Sequence, residues 1–127
     1  MPVKDEDRKI VEKLFQAMHA GPNGADLMES LFAEDAEMIE PFSGQPRKHQ
    51  GRDAIMAFFR ETMKNPPPEM NVTLDRLDMD QDRIRAEWTC TSSAFPKPMR
   101  GYDLYRISDG KIQHTEVVLT EMPPMEA

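Results

Sequence analysis

Residues 36–59 read AEMIEPFSGQPRKHQGRDAIMAFF, and the reading of this stretch decides the fold. A short strand, Glu37–Glu40, is cut off by Pro41, which lacks the N–H that a central strand would have to donate. A glycine-punctuated turn follows, and Arg47–Gln50 is expected to return as the hairpin partner. Gly51–Arg52–Asp53 then opens a helix over Arg52–Met63, with Ala54, Ile55, Phe58, Phe59 and Met63 on one face. Asn65–Pro68 stops it. Inside this unit Glu40 is a lone carboxylate beside Met38, Ile39 and Phe42. A carboxyl removed from water has its pKa raised, which suits it to proton transfer near neutral pH. Two plainer roles stay open for Glu40: a rim carboxylate capping the turn, or an ion-pair partner of Arg47.

The flanking sequence extends the pattern on both sides. Asp5–Ala20 reads as a helix, with Ile10, Val11, Leu14, Phe15 and Met18 at helical spacing and Gly21–Pro22 as its stop. Acidic residues crowd its first turns, where the helix dipole favours them. A shorter helix is expected from Ala25 to Phe32, burying Leu27, Met28, Leu31 and Phe32. After Pro68 the period changes to two. Val72 and Leu74 share one parity and Leu77 and Met79 the other, which places a β-bulge near Asp75–Arg76. Ile84, Ala86, Trp88 and Cys90 alternate with polar residues as in a half-buried strand. Met99–Ile107 is the next strand, Ser108–Asp109–Gly110 a hairpin turn, and Lys111–Thr120 the last strand. Helices first and a meander last predict an α+β domain: a curved antiparallel sheet of four to six strands wrapped around three helices. A single domain over residues 1–127 is expected, ordered from about 5 to 121, with 122–127 a disordered or draped tail.

Composition narrows the function. A net charge of −7 and a pI near 4.9 argue against nucleic acid and anionic membrane surfaces, which recruit basic patches. No apolar run approaches the length of a membrane span. Cys90, the single cysteine, excludes an internal disulfide and a cysteine metal cluster, and a cytoplasmic location is expected. His19, His49 and His114 are scattered without metal-site spacing, so no metal is expected. His19 falls at a helix C-terminus, and His114 alternates with Glu116 on the outer side of the last strand. There is no Gly-rich phosphate loop, nucleophile elbow or Cys–His pair, so no cofactor is expected either.

The order helix–helix–strand–strand–helix, then long antiparallel strands, resembles the cone-shaped fold of nuclear transport factor two. SnoaL-like polyketide cyclases, limonene epoxide hydrolase and ketosteroid isomerase share that fold. The resemblance runs from about Ile10 to Leu119 and rests on LFAEDAEMIEPFSGQPRKHQGRDAIMAFF (31–59) and GYDLYRISDGKI (101–112). It implies a cone with an apolar pocket, a small hydrophobic molecule as partner, and a homodimer through the outer face of the sheet, where Leu104 and Val118 would lie. The first stretch looks most like ketosteroid isomerase, with an acid before a proline, a short turn and a helix. By that likeness the isomerase's base falls on Glu40 and its oxyanion-supporting acid on Asp103. The isomerase's two active-site tyrosines fall on Leu14 and Phe59, so both phenols are absent.

The resemblance therefore implies a cofactor-independent isomerase or cyclase acting by proton transfer on a small hydrophobic carbonyl compound. Leu14, Phe15, Met18, Phe42, Phe58, Phe59, Trp88, Cys90, Tyr105, Val117 and Leu119 are the expected pocket residues. Trp88, Cys90, Val117 and Leu119 read equally as plain core, and for any one of Phe15, Met18, Phe42 and Phe58 core is the safer reading. Tyr105 shares parity with Asp103 and is the candidate substitute donor. Asp103 could instead pair with Arg100 or Arg106. A different class of function also fits: a non-catalytic module that binds a hydrophobic ligand or, through its sheet, a protein. An epoxide hydrolase echo, Arg100, Asp103 and Glu116, lacks the Arg-x-Asp spacing and ranks last.

Overall fold

A computed structural model describes residues 2–122; the expected tail from 123 onward lies outside the described residues. The first helix, α1, spans Asp5–His19 with Asp5, Glu6 and Asp7 in its opening turn, and it buries Val11, Leu14, Phe15 and Ala17. A 3-10 turn, Gly21–Gly24, joins it to α2, Ala25–Leu31. The helix α3 spans Arg52–Met63, with Ile55 and Met56 buried.

Six strands follow the expected order: β1 Phe32–Glu40, β2 Arg47–Gln50, β3 Asn71–Asp80, β4 Arg83–Thr91, β5 Met99–Ser108 and β6 Lys111–Glu121. They form one open sheet ordered β2-β1-β6-β5-β4-β3. The fold is α+β as expected, and the sheet has six strands. It is mixed, however, not antiparallel throughout. The chain returns through the β3–β6 meander so that β6 runs beside β1 in the same direction, pairing Met38 with Thr115 and Ile39 with Glu116. The remaining pairings are antiparallel.

A second correction concerns β1, which begins at Phe32 and not at Glu37. The stretch Ala33–Ala36 has weak strand propensity. Pairing with β6 recruits it nonetheless, through a register shift between Phe32 and Glu37. The shift predicted in β3 lies between Leu74 and Arg76.

Helices and sheet meet over one apolar core, in which Tyr105, Phe32, Met28, Ile55, Met56 and Ile112 are the largest fully buried apolar side chains. Leu104, expected on the outer face, is only 5% exposed in the isolated chain. It sits in register between Arg85 and Glu116. His114 is on the same outer face but nearly buried. It bonds Glu37 at 2.8 Å, and Lys48 bonds the other Glu37 oxygen at 3.0 Å. No helix among the described residues is long and apolar enough to cross a membrane.

Gly101 of β5 leaves no room for a side chain. It pairs with Trp88, and the indole ring lies over the space where a side chain would start. A Cβ there would press into both the Val118 carbonyl and the Trp88 ring. Gly101→Ala is expected to cost about 1–3 kcal/mol, as overpacked cores do. Because Trp88 is the only tryptophan, denaturant unfolding with a shifted native emission maximum reports both effects.

Candidate active site

The concave side of the sheet, roofed by the helices, encloses a cavity of about 280 Å³. The residues expected to form it come from every layer. Leu14, Phe15 and Met18 of α1 line it, as do Phe58 and Phe59 of α3, Phe42 of the β1–β2 turn, Trp88 and Cys90 of β4, Tyr105 of β5 and Val117 of β6. Leu119 packs against the core but does not reach the cavity. Phe42 is 41% exposed and marks the mouth with Thr62 and Pro66. Further wall residues escaped the sequence reading, among them Met38, Met63, Met70, Val72, Met99 and Thr115. Strand alternation carried a signal for Thr115, two positions before Val117 on the same parity.

The one carboxyl in this wall is Asp103. Alternation along β5 turns Asp103 and Tyr105 inward together, and cross-strand pairing sets Asp103 opposite Ala86, one step from Trp88. The Trp88 indole N–H donates to Asp103 Oδ1 at 3.0 Å, and the Tyr105 hydroxyl donates to Oδ2 at 2.6 Å. Neither Arg100 nor Arg106 is its partner; Arg100 lies toward Glu121 instead. Burial pushes the Asp103 carboxyl up to about 6, against the opposing pull of these two hydrogen bonds. Burial, with the adjacent Asp103 charge, holds the Tyr105 phenol well above its ordinary value. At neutral pH the pair is thus a carboxylate accepting from a neutral phenol. The Cys90 thiol, further along β4 and opposite Met99, is also shifted up by burial and stays protonated.

Glu40 stands outside this wall. It is fully buried but does not line the cavity. Pro41 ends β1, and the chain turns through Gly44, at φ +99°, a conformation that favours glycine. The turn brings back β2, whose Arg47 faces Glu40 and whose His49 faces Met38. Alternation therefore delivers Arg47 and His49 to one side, that of Glu40. Oε2 accepts from Arg47 Nε and from His49 Nε2, each at 2.8 Å, and Oε1 accepts from the Phe42 amide at 2.8 Å. A carboxylate can only accept, so His49 Nε2 carries the proton.

Burial alone would raise the Glu40 carboxyl, but the bonds from His49, Arg47 and the Phe42 amide outweigh it and hold the group below its ordinary value. The raised pKa expected from the sequence is reversed by three donors. Both plainer roles, turn cap and Arg47 partner, are present together. The ring of His49 lies 4.7 Å from that of Phe58, and the Arg47 guanidinium 5.7 Å. The cluster thus braces Phe58, which lines the cavity.

An open, strongly curved sheet wrapped on three helices around an apolar cavity defines a cone-fold α+β protein. The chain belongs to the family of SnoaL-like domains, whose model matches residues 11–115. The fold is similar to that of a proposed ketosteroid isomerase from Kribbella flavida (TM-score 0.73, 18% identity, covering 97% of this chain and 84% of that one). It is similar also to a proposed SnoaL-like polyketide cyclase from Jannaschia (TM-score 0.76, 14% identity, 94% and 88% covered). A third likeness is to a protein of unknown function from Burkholderia xenovorans, itself like nuclear transport factor two (TM-score 0.72, 20% identity, 97% and 88% covered). At these identities the likeness is one of fold. None of the curated proteins matches the chain.

The depressed Glu40 pKa has a stability consequence with a definite sign. The contribution of its bonds is present above the unfolded glutamate value of about 4.3 and is lost as pH falls through the lower folded value. Glu40→Gln is expected to destabilise by about 1.5–3 kcal/mol near neutral pH, the usual worth of a hydrogen bond to a charged group. In unfolding curves of both proteins the difference should hold above the unfolded glutamate value of about 4.3 and shrink as pH falls further, through the lower folded value.

Proposed function

We propose that this chain, acting as a single cone domain over residues 1–127, is a cofactor-independent enzyme that moves a proton on a small hydrophobic carbonyl compound. The observation that carries the reading is Asp103: a buried carboxyl at the wall of an apolar cavity, with its pKa raised to about 6. A general base works best when its pKa lies near the operating pH, and desolvation is the usual means of raising a carboxylate. In the proposed step a proton leaves the carbon next to the carbonyl for an Asp103 oxygen. The C–H electron pair becomes the enolate double bond and its charge settles on the carbonyl oxygen. Return of the same proton to a different carbon completes an isomerisation. In a cyclisation the enolate carbon attacks a second carbonyl of the same molecule, its π pair moves to that oxygen, and the alkoxide takes the proton back from Asp103.

The expected roles shift accordingly. Glu40, ionised by three donors and set back from the cavity, supports a positioning role toward Phe58 better than that of base. Asp103 takes the proton instead of supporting the oxyanion. The expected ligand contacts, including the aromatic group Phe42, Phe58, Phe59 and Trp88, exclude water and hold the apolar body of the substrate. A second reading, a non-catalytic ligand-binding module, draws on the hydrocarbon side chains Leu14 and Phe59 at the isomerase's phenol positions. We also propose a homodimer through the outer sheet face, with Val118 in the contact. The cytoplasm is the proposed location, where the lone thiol of Cys90 would stay reduced.

A panel of Δ5-enones and related ketones, assayed with wild type, Asp103→Asn and Glu40→Gln, separates these roles. We expect Asp103→Asn to lower kcat/KM by about 10²–10⁴-fold. In wild type kcat/KM should fall as pH drops below about 6, because the base must be ionised. Glu40→Gln should keep that acid limb. Loss of the limb in Glu40→Gln, with Asp103→Asn still active, would return the base to Glu40. Turnover of none of the panel, with ligands still bound, favours the binding module. Sedimentation of wild type and Val118→Glu tests the dimer, which the substitution should dissociate.

A further inference from the structure

An enolate needs a donor, and the donors nearest Asp103 are already engaged. The Trp88 indole and the Tyr105 hydroxyl both point at the Asp103 carboxylate. The Thr62 hydroxyl, at the cavity mouth, donates to the Phe59 carbonyl at 3.0 Å. The remaining hydroxyl in the cavity wall belongs to Thr115, whose side chain is bonded to no described residue although Thr115 is only 3% exposed. Among the described residues only Arg52 Nε is a side-chain polar atom both sealed off and unpartnered, so the Thr115 hydroxyl keeps open space, and that space is the cavity it lines.

We propose that Thr115 is the hydrogen-bond donor to the carbonyl oxygen of the compound held in the cavity, an assignment that rests on the proton-transfer reading above. Strand register gives the reason. Thr115 of β6 lies directly opposite Tyr105 of β5, and Asp103 lies opposite Val117. Thr115 is thus the diagonal neighbour of Asp103 on the cavity face, at a backbone separation of about 7–8 Å. That span accommodates a carbonyl group laid between them, with its α-carbon against the carboxylate and its oxygen against the hydroxyl. The reverse orientation would set carbonyl oxygen against carboxylate oxygen, which repel.

The parallel β1–β6 pairing fixes Thr115 from its other side, where Met38 is its partner, so the hydroxyl is carried on a strand with neighbours on both edges. When the α-proton passes to Asp103, negative charge gathers on the carbonyl oxygen and the Thr115 bond strengthens. It is weaker in the ground state, so the contact favours the transition state. When the proton returns to carbon, the carbonyl re-forms and the bond relaxes. Thr115 itself gains and loses nothing.

The test uses a matched pair of probes, 2-tetralone and the hydrocarbon tetralin, which differ by the carbonyl. Binding is read from Trp88 fluorescence, and α-proton abstraction from deuterium uptake by 2-tetralone in D2O followed by NMR. Thr115→Val keeps the branched shape and removes the hydroxyl; Thr115→Ser keeps the hydroxyl. We expect Thr115→Val to weaken 2-tetralone by roughly 3–10-fold, the scale of one neutral hydrogen bond, and to leave tetralin unchanged. Deuterium uptake should slow by about 10²-fold. Thr115→Ser should stay near wild type in both, and the Tm of Thr115→Val should be unchanged or higher.

Equal loss of both probes, or a lowered Tm with a matching loss, would make Thr115 a packing residue and overturn the assignment. Unchanged uptake in Thr115→Val, with Asp103→Asn inactive, would overturn it while leaving the proton-transfer reading intact. A wild type that binds 2-tetralone without exchanging it would remove that reading and the assignment together.

Discussion

The parallel pairing of β1 with β6 is the constraint on which the rest of the structure depends. β1 leads from the helical half of the chain, and β6 ends the meander. Their hydrogen bonds span most of the sequence and join β1 and β2 to the β3–β6 meander in one sheet. The pairing also sets which side chains meet. Met38 and Thr115 share a rung and both face the cavity, while Ile39 and Glu116 share the next and face outward. A slip of one residue would send Thr115 and Val117 to the outer face and empty one wall of the cavity.

Two buried acids illustrate how partners, not burial, decide the state of a carboxyl. Glu40 and Asp103 are both buried, and desolvation raises both. Glu40 meets a guanidinium, an imidazole N–H and a backbone amide, and charge-assisted bonds outweigh the loss of water. Asp103 meets a phenol and an indole, both neutral, and the loss of water wins. The first carboxylate is locked in its charged form and serves as structure. The second can change its charge near physiological pH, which is the property a proton carrier needs.

Much of the fold was legible from local features. Pro41, the Pro66–Pro68 run and the Ser108–Asp109–Gly110 turn punctuate the chain where elements end, and α1, β2 and α3 fall on the residues that periodicity marks. The bulge in β3 could be read from the change of parity between Leu74 and Leu77. The start of β1 could not, because Ala33–Ala36 has no strand pattern of its own and is recruited by β6. The parallel direction of that pairing was hidden for the same reason: it is long-range, and alternation says nothing about neighbours. Among the site residues, Asp103 and Tyr105 were visible as one inward parity of β5. The partners of Asp103 were not visible, since Trp88 sits on another strand.

The sequence by itself determined the elements, their order, the inward parity of each strand and the set of apolar residues available to a cavity. These follow from side-chain periodicity and from proline and glycine chemistry, which act over a few residues. Tertiary structure alone decided the charge states of the two acids and the hydroxyl that faces the cavity unpaired. A pKa depends on the groups within a few ångströms, and those groups arrive from the β1–β2 turn, β2, β4 and β5. Glu40 reads in the sequence as the reactive acid and Asp103 as its support. The donors that folding brings to each lower the Glu40 pKa and leave that of Asp103 raised, which is why the proposed mechanism exchanges their roles.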